Sequence, residues 1–599
     1  MVPRPGSPPQ STPSQVRRKR RATILAAAIL LLTIHATLLA WEALRQGPAW
    51  DEVGHVAAGL SHWMRGEFGS YRVNPPLARM VAVLPVLAAG VQMDWTRFGN
   101  APPSRMEFSA GRDLALANGP RSFWLFTLAR WACIPFSLVG GLVCLVWARK
   151  LYGDAAGLVA LALWCFSPSL LGFGGLVGPD VAAAALGTVA GYAFWCWLKT
   201  PHWMRAVLAG VALGLAELTK MTWIVLFFLW PVLWLLYRGP RPNRQPLAEW
   251  RRQGRQLFVA FLLALCLINL GYGCEDSFQP LGEYRFFSGL LTGRPPAEGL
   301  VPRPGNRFAD TWLAALPVPL PGNYVLGIDV QRSEFDRKMW SYLRGEWRFG
   351  GWWYYYLYGM AVKEPLGTWG VVLLAVSLTV GCRGCSASWR DELLLVAPAV
   401  VVLVLVSAHT GFNHHLRYVF PMYPFAFIWS SKIALASKFR CFKTAAAGKL
   451  ALGWAIASSL WVFPHNQSYF NELVGGPANG HYHMHASNTD WGQDLLYLKR
   501  WLDEHPEARP LSLALWMPLI DPALAGIDHV GPPPQDAPRP GWHAISVNEI
   551  HADGGGYLYF LQLRPVASAG YSILIYHVTL EEARRLRRQL GVFRPSDVP

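Results

Sequence analysis

The chain has 599 residues, 52% of them hydrophobic, and a mean hydropathy of +0.22. That is too apolar for an ordinary soluble multidomain protein and makes a polytopic membrane protein the default. The formal net charge of +17 does not argue for nucleic acid, because Lys and Arg sit in short clusters between apolar runs, where they act as topology signals.

Residues 1–16 are rich in Pro, Ser and Gln and are expected to be disordered, as part of a basic tail reaching to residue 21. The cluster Arg17-Arg18-Lys19-Arg20-Arg21 precedes an apolar run over 23–40, long enough to cross a hydrocarbon layer roughly 30 Å thick. By the positive-inside rule the N-terminus is cytoplasmic. A signal peptide competes with this reading, but the run is long for one and lacks a clear small-x-small cleavage site, which favours a retained anchor.

Further spans are expected near 121–147, 155–172, 181–198, 205–219, 221–237, 257–272, 365–381, 392–408, 419–435 and 448–463. With the first run they make about eleven transmembrane helices. An odd number of crossings leaves the C-terminus outside. The basic clusters at Arg149-Lys150, Lys199 with Arg205, 238–255, Arg383 with Arg390, and 438–449 all fall on the resulting cytoplasmic turns. The pair 205–219 and 221–237 requires a very tight outside turn at Thr219-Lys220.

This topology gathers the unusual polar residues on the extracytoplasmic face. Residues 22–463 form the membrane domain, and 464–599 read as a small α/β domain. In that domain 511–517, 543–547 and 571–578 have strand-like composition, while Asp490-Trp491-Gly492-Gln493 and Thr579-Leu580-Glu581-Glu582 look like capping boxes. The nine cysteines lie mainly within apolar runs, so no disulfide framework is implied. Cys382 and Cys385 form a lone C-x-x-C, a weak zinc or redox signal without a second pair.

The chemistry centres on Trp50-Asp51-Glu52-Val53-Gly54-His55, which follows the first span. Adjacent carboxylates on a helix point to different faces, so one can face a reacting group as general base while the other is held by a cation. The competing reading is a membrane-interface helix with an acidic first turn. Asp180 at the mouth of a span reads first as a helix N-cap and second as a further active-site acid. Arg79, Lys363 and Arg417 are candidate partners of a lipid phosphate, although a lysine at such depth can also snorkel. The run Trp352-Trp353-Tyr354-Tyr355-Tyr356 marks a membrane interface. His481, His483 and His485 alternate, but without a nearby acid they read as a surface feature rather than a metal site.

These residues carry a resemblance. The segments Asp51 to Gly59, Asn74-Pro75-Pro76-Leu77-Ala78-Arg79, Tyr354 to Pro365, His415 to Pro421, Tyr469-Phe470-Asn471-Glu472-Leu473 and Ser487 to Asp494 resemble the polyprenyl-phosphate-sugar-dependent membrane glycosyltransferases of the protein O-mannosyltransferase and aminoarabinose-transferase superfamily, bacterial branch. The resemblance spans about 22–580 and implies a mainly α GT-C fold. It also implies Asp51 as catalytic base, with Glu52 and Asp180 as the accompanying acids. His55, Asn74, Arg79, Lys363, Arg417 and Tyr418 fall on the segments expected to contact substrate. Family members usually show His-Pro-Pro-Leu with a following Lys where this chain has Asn74 and Arg79, so the charge is kept while the side chain differs.

The function expected is inverting transfer of a sugar from a polyprenyl-phosphate donor to a hydroxyl of a protein, lipid or glycan, in a bacterial inner membrane. No cofactor or essential metal is expected, since no D-x-D pair lies outside the spans and cationic side chains can neutralise the leaving phosphate. No G-x-G-x-x-G or P-loop pattern points to a nucleotide. The alternatives are a flippase for lipid-linked precursors and a non-catalytic membrane protein whose terminal domain binds envelope glycan.

Overall fold

The computed structural model describes residues 13–99, 105–239, 246–294, 303–381, 387–409, 411–439 and 441–592. Within them the chain is mainly helical, and it is an integral membrane protein. Eight helices are long and apolar enough to cross a membrane, or up to ten if two bent pairs each count as one span. The first runs Pro13–Arg45, so residues 13–21, expected to be disordered, are its opening turns. Residues 1–12 of that tail, and the Cys382/Cys385 pair, lie outside the described residues.

The span count falls below eleven for identifiable reasons. The expected span 155–172 is broken into Asp154–Cys165 and Pro168–Gly174, bent by 58° where Pro168 removes a helix donor. The expected span 365–381 is the second half of Tyr355–Lys363 plus Leu366–Gly381, bent by 110° at Pro365. The run 205–219 forms only the 15-residue helix Trp203–Glu217, too short to cross alone. The described cysteines are all free thiols.

Helix Trp50–Arg65 is not a span, yet most of it is buried. Its start is fixed by Glu52, whose Oε2 accepts from the Ala49 N–H at 2.8 Å, and its end by Gly66 at φ 68°, a left-handed conformation that glycine adopts without strain. It is clasped from two sides. A side chain at Gly59 would put its Cβ 2.6 Å from the Arg79 carbonyl, and one at Gly111 would meet the Val53 carbonyl at 2.1 Å. Only glycine admits backbones that close.

A hairpin of β1 (Trp340–Leu343) and β2 (Glu346–Phe349) precedes the terminal domain. That domain holds β3 (Leu511–Ala514), β4 (Gly541–Ser546), β5 (Ala567–Ala569) and β6 (Ile573–Val578) in the order β3-β4-β6-β5. β3 and β4 run parallel; the other pairs are antiparallel. Alternation divides the two faces. Ile573 and Ile575 pack with Leu498 and Leu502 of helix Leu495–Glu504, while Tyr576 and Val578 pack with Leu586 of helix Leu580–Gln589. The sheet is therefore a small mixed one with a helix on each side. The expected strand 511–517 stops at Ala514, leaving Trp516 and Met517 in a loop.

The Thr579–Glu582 capping box is present. The one expected at Asp490 is not. The helix begins at Leu495 after Asp494, and Asp490 instead accepts from Ser546 Oγ and from the Gly492 N–H.

Candidate active site

A cavity of about 320 Å³ is lined by Asp51, His55, Asn74, Asp180, Arg417 and Tyr418, together with Trp50, Lys220, Arg105, Glu334 and Trp491 among others. Asp51 enters from the first turn of helix Trp50–Arg65. Asp180 is the first residue of helix Asp180–Lys199, and no side chain caps that helix. Instead of capping, Asp180 accepts from Lys220 Nζ at 2.6 Å and lies 3.6 Å from Arg417 Nε. Arg417 donates to Asp51 through Nη2. One guanidinium thus bridges two carboxylates, and a lysine closes the row.

The walls are aromatic. The Arg417 guanidinium lies 5.2 Å from the Trp491 ring centroid and Lys220 Nζ lies 5.1 Å from that of Tyr418, contacts that favour a cation. His55 stacks on Tyr71 at 3.9 Å. Burial, followed by the charges of Arg79 and Arg417, holds its imidazole well below the ordinary value, so it faces the cavity neutral. At the rim Arg105 pairs with Glu334 at 2.7 Å and Glu107 at 2.5 Å. A second, mostly apolar groove of about 210 Å³ shares Lys220, Gln331, Phe335 and Tyr418 with the cavity and continues along Met221, Ile224, Leu405 and Val406 of two candidate spans.

Three sequence candidates lie outside the cavity lining. Glu52 forms a buried ion pair with Arg130, Nη2 to Oε2 at 2.5 Å with both side chains 1% exposed, and it also accepts from the Val177 N–H. Arg130 in turn donates to the carbonyls of Ala43, Gln46 and Gly47. Arg79 donates to the carbonyls of Ser70, Asn74 and Pro75 and to His62 Nε2. Lys363 donates to the carbonyls of Gln467 and Asn488. Each of these cations is occupied with backbone carbonyls.

Other expectations change as well. The histidines 481, 483 and 485 do not form a surface stripe. His481 and His485 are buried, His481 sharing a hydrogen bond with His551 at 2.7 Å and His485 bonding the Asn548 carbonyl. Of the aromatic run 352–356, Trp353 is exposed while Trp352, Tyr355 and Tyr356 are buried. Sequence reading gave no site role to Lys220, Arg105, Glu334 or Trp491. Lys220 carried a usable signal, being the charged residue between two apolar runs, a setting that marks function by default.

Residues 115–271 match the family model described as dolichyl-phosphate-mannose-protein mannosyltransferase. The class is that of a polytopic membrane protein which, over those residues, carries a sequence pattern of the protein mannosyltransferase family. Similar solved structures include ArnT from Cupriavidus metallidurans in the apo state, with 14% identity over 95% of this chain and 99% of that one and a TM-score of 0.43. The same protein bound to undecaprenyl phosphate gives 13% identity, 93% and 98% coverage and a TM-score of 0.44. The arabinofuranosyltransferase AftD from Mycobacteria gives 14% identity over 88% of this chain and 36% of that one, with a TM-score of 0.34. No curated protein sequence matches the chain.

Proposed function

We propose that the protein is an inverting glycosyltransferase that moves a sugar from a polyprenyl-phosphate donor to a hydroxyl acceptor on the extracytoplasmic face of a bacterial inner membrane. The observation that carries this reading is the Asp51 carboxylate in a cavity that also holds Arg417 and Lys220 and continues into an apolar groove between spans. A lipid-linked sugar has matching parts: an isoprenoid chain for the groove, a phosphate for the cations and a sugar for the polar cavity.

Arg417 donates through Nη2 to Asp51 Oδ2. A donor phosphate gives Arg417 and Lys220 a second anionic partner and frees an Asp51 oxygen for the acceptor. The acceptor O–H gives its proton to Asp51 as its oxygen attacks the anomeric carbon. The bond from that carbon to the lipid phosphate oxygen breaks on the opposite face, and its electron pair leaves with the phosphate. The cations hold the charge that develops there. A single displacement inverts the anomeric centre. Asp180 keeps Lys220 and Arg417 in place, and Glu52, bonded to Arg130, fixes the helix that presents Asp51.

The test uses purified protein in proteoliposomes with a polyprenyl-phosphate sugar. Asp51→Asn keeps size and hydrogen bonding but takes no proton at neutral pH, so turnover should fall by about 10²–10⁴ with donor binding retained. Full turnover in Asp51→Asn would overturn the assignment. Mass spectrometry of envelope glycans and glycoproteins, comparing a deletion strain with its complement, identifies the sugar and the acceptor; no difference between the strains would count against transfer.

A further inference from the structure

The conspicuous stretch Ser487 to Asp494 contributes one cavity-lining side chain, Trp491, yet its backbone and amides bond the segments that lead into both Asp51 and Arg417. We infer that this buried loop is a positioning clamp, which fixes Asp51 and Arg417 relative to each other and ties both to the sheet of the terminal domain.

On one side the loop holds the approach to the Asp51 helix. The Trp491 carbonyl accepts from the Trp50 N–H and the Gln493 carbonyl from the Gly47 N–H, both at 2.8 Å. These bonds bracket the turn that leads directly into Asp51. On the other side Asn488 holds the start of the short helix Leu416–Met422 that carries Arg417. Its Oδ1 accepts from the Leu416 N–H at 3.1 Å, and its Nδ2 donates to the His414 carbonyl at 2.8 Å, while the Trp491 ring lies beneath the guanidinium.

The loop is itself held rigid. Gln493 accepts from the Trp491 N–H through Oε1 at 2.7 Å and donates through Nε2 to the Thr489 carbonyl at 3.0 Å. Thr489 Oγ1 donates to Asn548 Oδ1 at 2.9 Å, and Asn548 Nδ2 donates to the Asp490 carbonyl at 3.0 Å. Asn548 lies two residues past β4, in the short helix Val547–Ile550, so the sheet of the terminal domain supplies the anchor. Asp51 and Arg417 sit on segments more than 300 residues apart in sequence. Polar bonds with fixed geometry, buried where water cannot replace them, set their mutual position more tightly than apolar packing does.

The catalytic consequence rests on the transferase reading; the positional one does not. Two experiments separate them. Amide hydrogen exchange on the full protein in detergent reads the Trp50 and Leu416 N–H groups through peptides covering 46–55 and 412–420. Gln493→Ala, and Thr489→Val as the milder variant, should raise exchange in both peptides while peptides from Asp180–Lys199 stay protected. Unchanged exchange in both variants overturns the clamp, and so does a general rise across the protein, which would make the loop an ordinary stabilising element.

The second experiment is a double-mutant cycle. Gln493→Ala alone should lower kcat by roughly 10–100-fold, the scale of a displacement of about 1 Å at a reacting group. Added to Asp51→Asn it should cost little more, because the group being positioned is already disabled. Losses that multiply overturn the catalytic role. Should Asp51→Asn prove fully active while exchange still rises in both peptides, the base assignment falls and the clamp stands.

Discussion

Arg417 donates to Asp51 across 366 positions of sequence and lies 3.6 Å from Asp180, so removal of this one side chain takes away the ion pair of Asp51 and leaves Asp180 with Lys220. Truncating one partner of a close pair in a water-poor site costs about 2–5 kcal/mol. Arg417→Ala and Lys220→Ala should therefore weaken use of the lipid-phosphate donor at least tenfold, read as kcat/KM against donor concentration in proteoliposomes. Arg417→Lys should not restore it fully, since an ammonium lacks the fork that bridges two carboxylates.

Arg79→Ala and Lys363→Ala are expected to behave differently from those two. Their donors satisfy buried carbonyls of the surrounding turns, and each group left unpaired costs about 1–3 kcal/mol. The expected result is a lower melting temperature in detergent with donor KM little changed in the protein that remains folded. A donor KM shifted as far as in Arg417→Ala would return these residues to the phosphate site.

Glu52→Gln separates the two adjacent acids. The change leaves Arg130 charged and buried without its counter-ion, and breaking such a pair costs about 3–5 kcal/mol. Folding yield and thermal stability should drop sharply in Glu52→Gln and hardly at all in Asp51→Asn, while turnover per folded molecule should fall more in Asp51→Asn. Thermal unfolding followed alongside single-turnover transfer checks both halves.

Asp490 predicts a pH dependence of stability. Burial pushes its carboxyl up to about 7, against the opposing hydrogen bonds from Ser546 and Gly492, whereas an unfolded aspartate titrates near 3.9. The folded chain then binds more protons than the unfolded one between these values. This contribution is full below pH ~3.9 and is lost as pH rises through ~7. Melting temperature should therefore fall between pH 5 and pH 8 by more in the wild type than in Asp490→Asn, whose neutral amide does not titrate. Parallel curves would refute this.

Orientation is checked by fusion. A reporter active only outside the cytoplasm should work when joined after residue 464 and fail when joined within 238–255, where basic residues cluster. The reverse pattern would place the cavity on the wrong face for the proposed donor.

Composition and the length of apolar runs determined, by themselves, that this is a polytopic membrane protein, because crossing a hydrocarbon layer demands a minimum apolar length whatever the fold. The acidic pair at 51–52, the acid at 180 and the basic residue at 417 were likewise legible, since charges beside apolar runs stand out against their surroundings. Strand-like composition located β4 and β6 of the terminal domain to within a few residues. What the sequence could not divide was labour among like charges. Arg79, Lys363 and Arg417 are equally basic on paper, but two are turned onto backbone carbonyls and one onto Asp51. Asp51 and Glu52 are neighbours in the chain, yet the helix points one into the cavity and the other at Arg130. Lys220 read as part of a tight turn until folding placed it on Asp180. Which partner a charge finds depends on the residues folding brings within about 4 Å of it, and for Lys220, Glu52 and Asp51 those lie 40, 78 and 366 positions away; only the tertiary structure decided that.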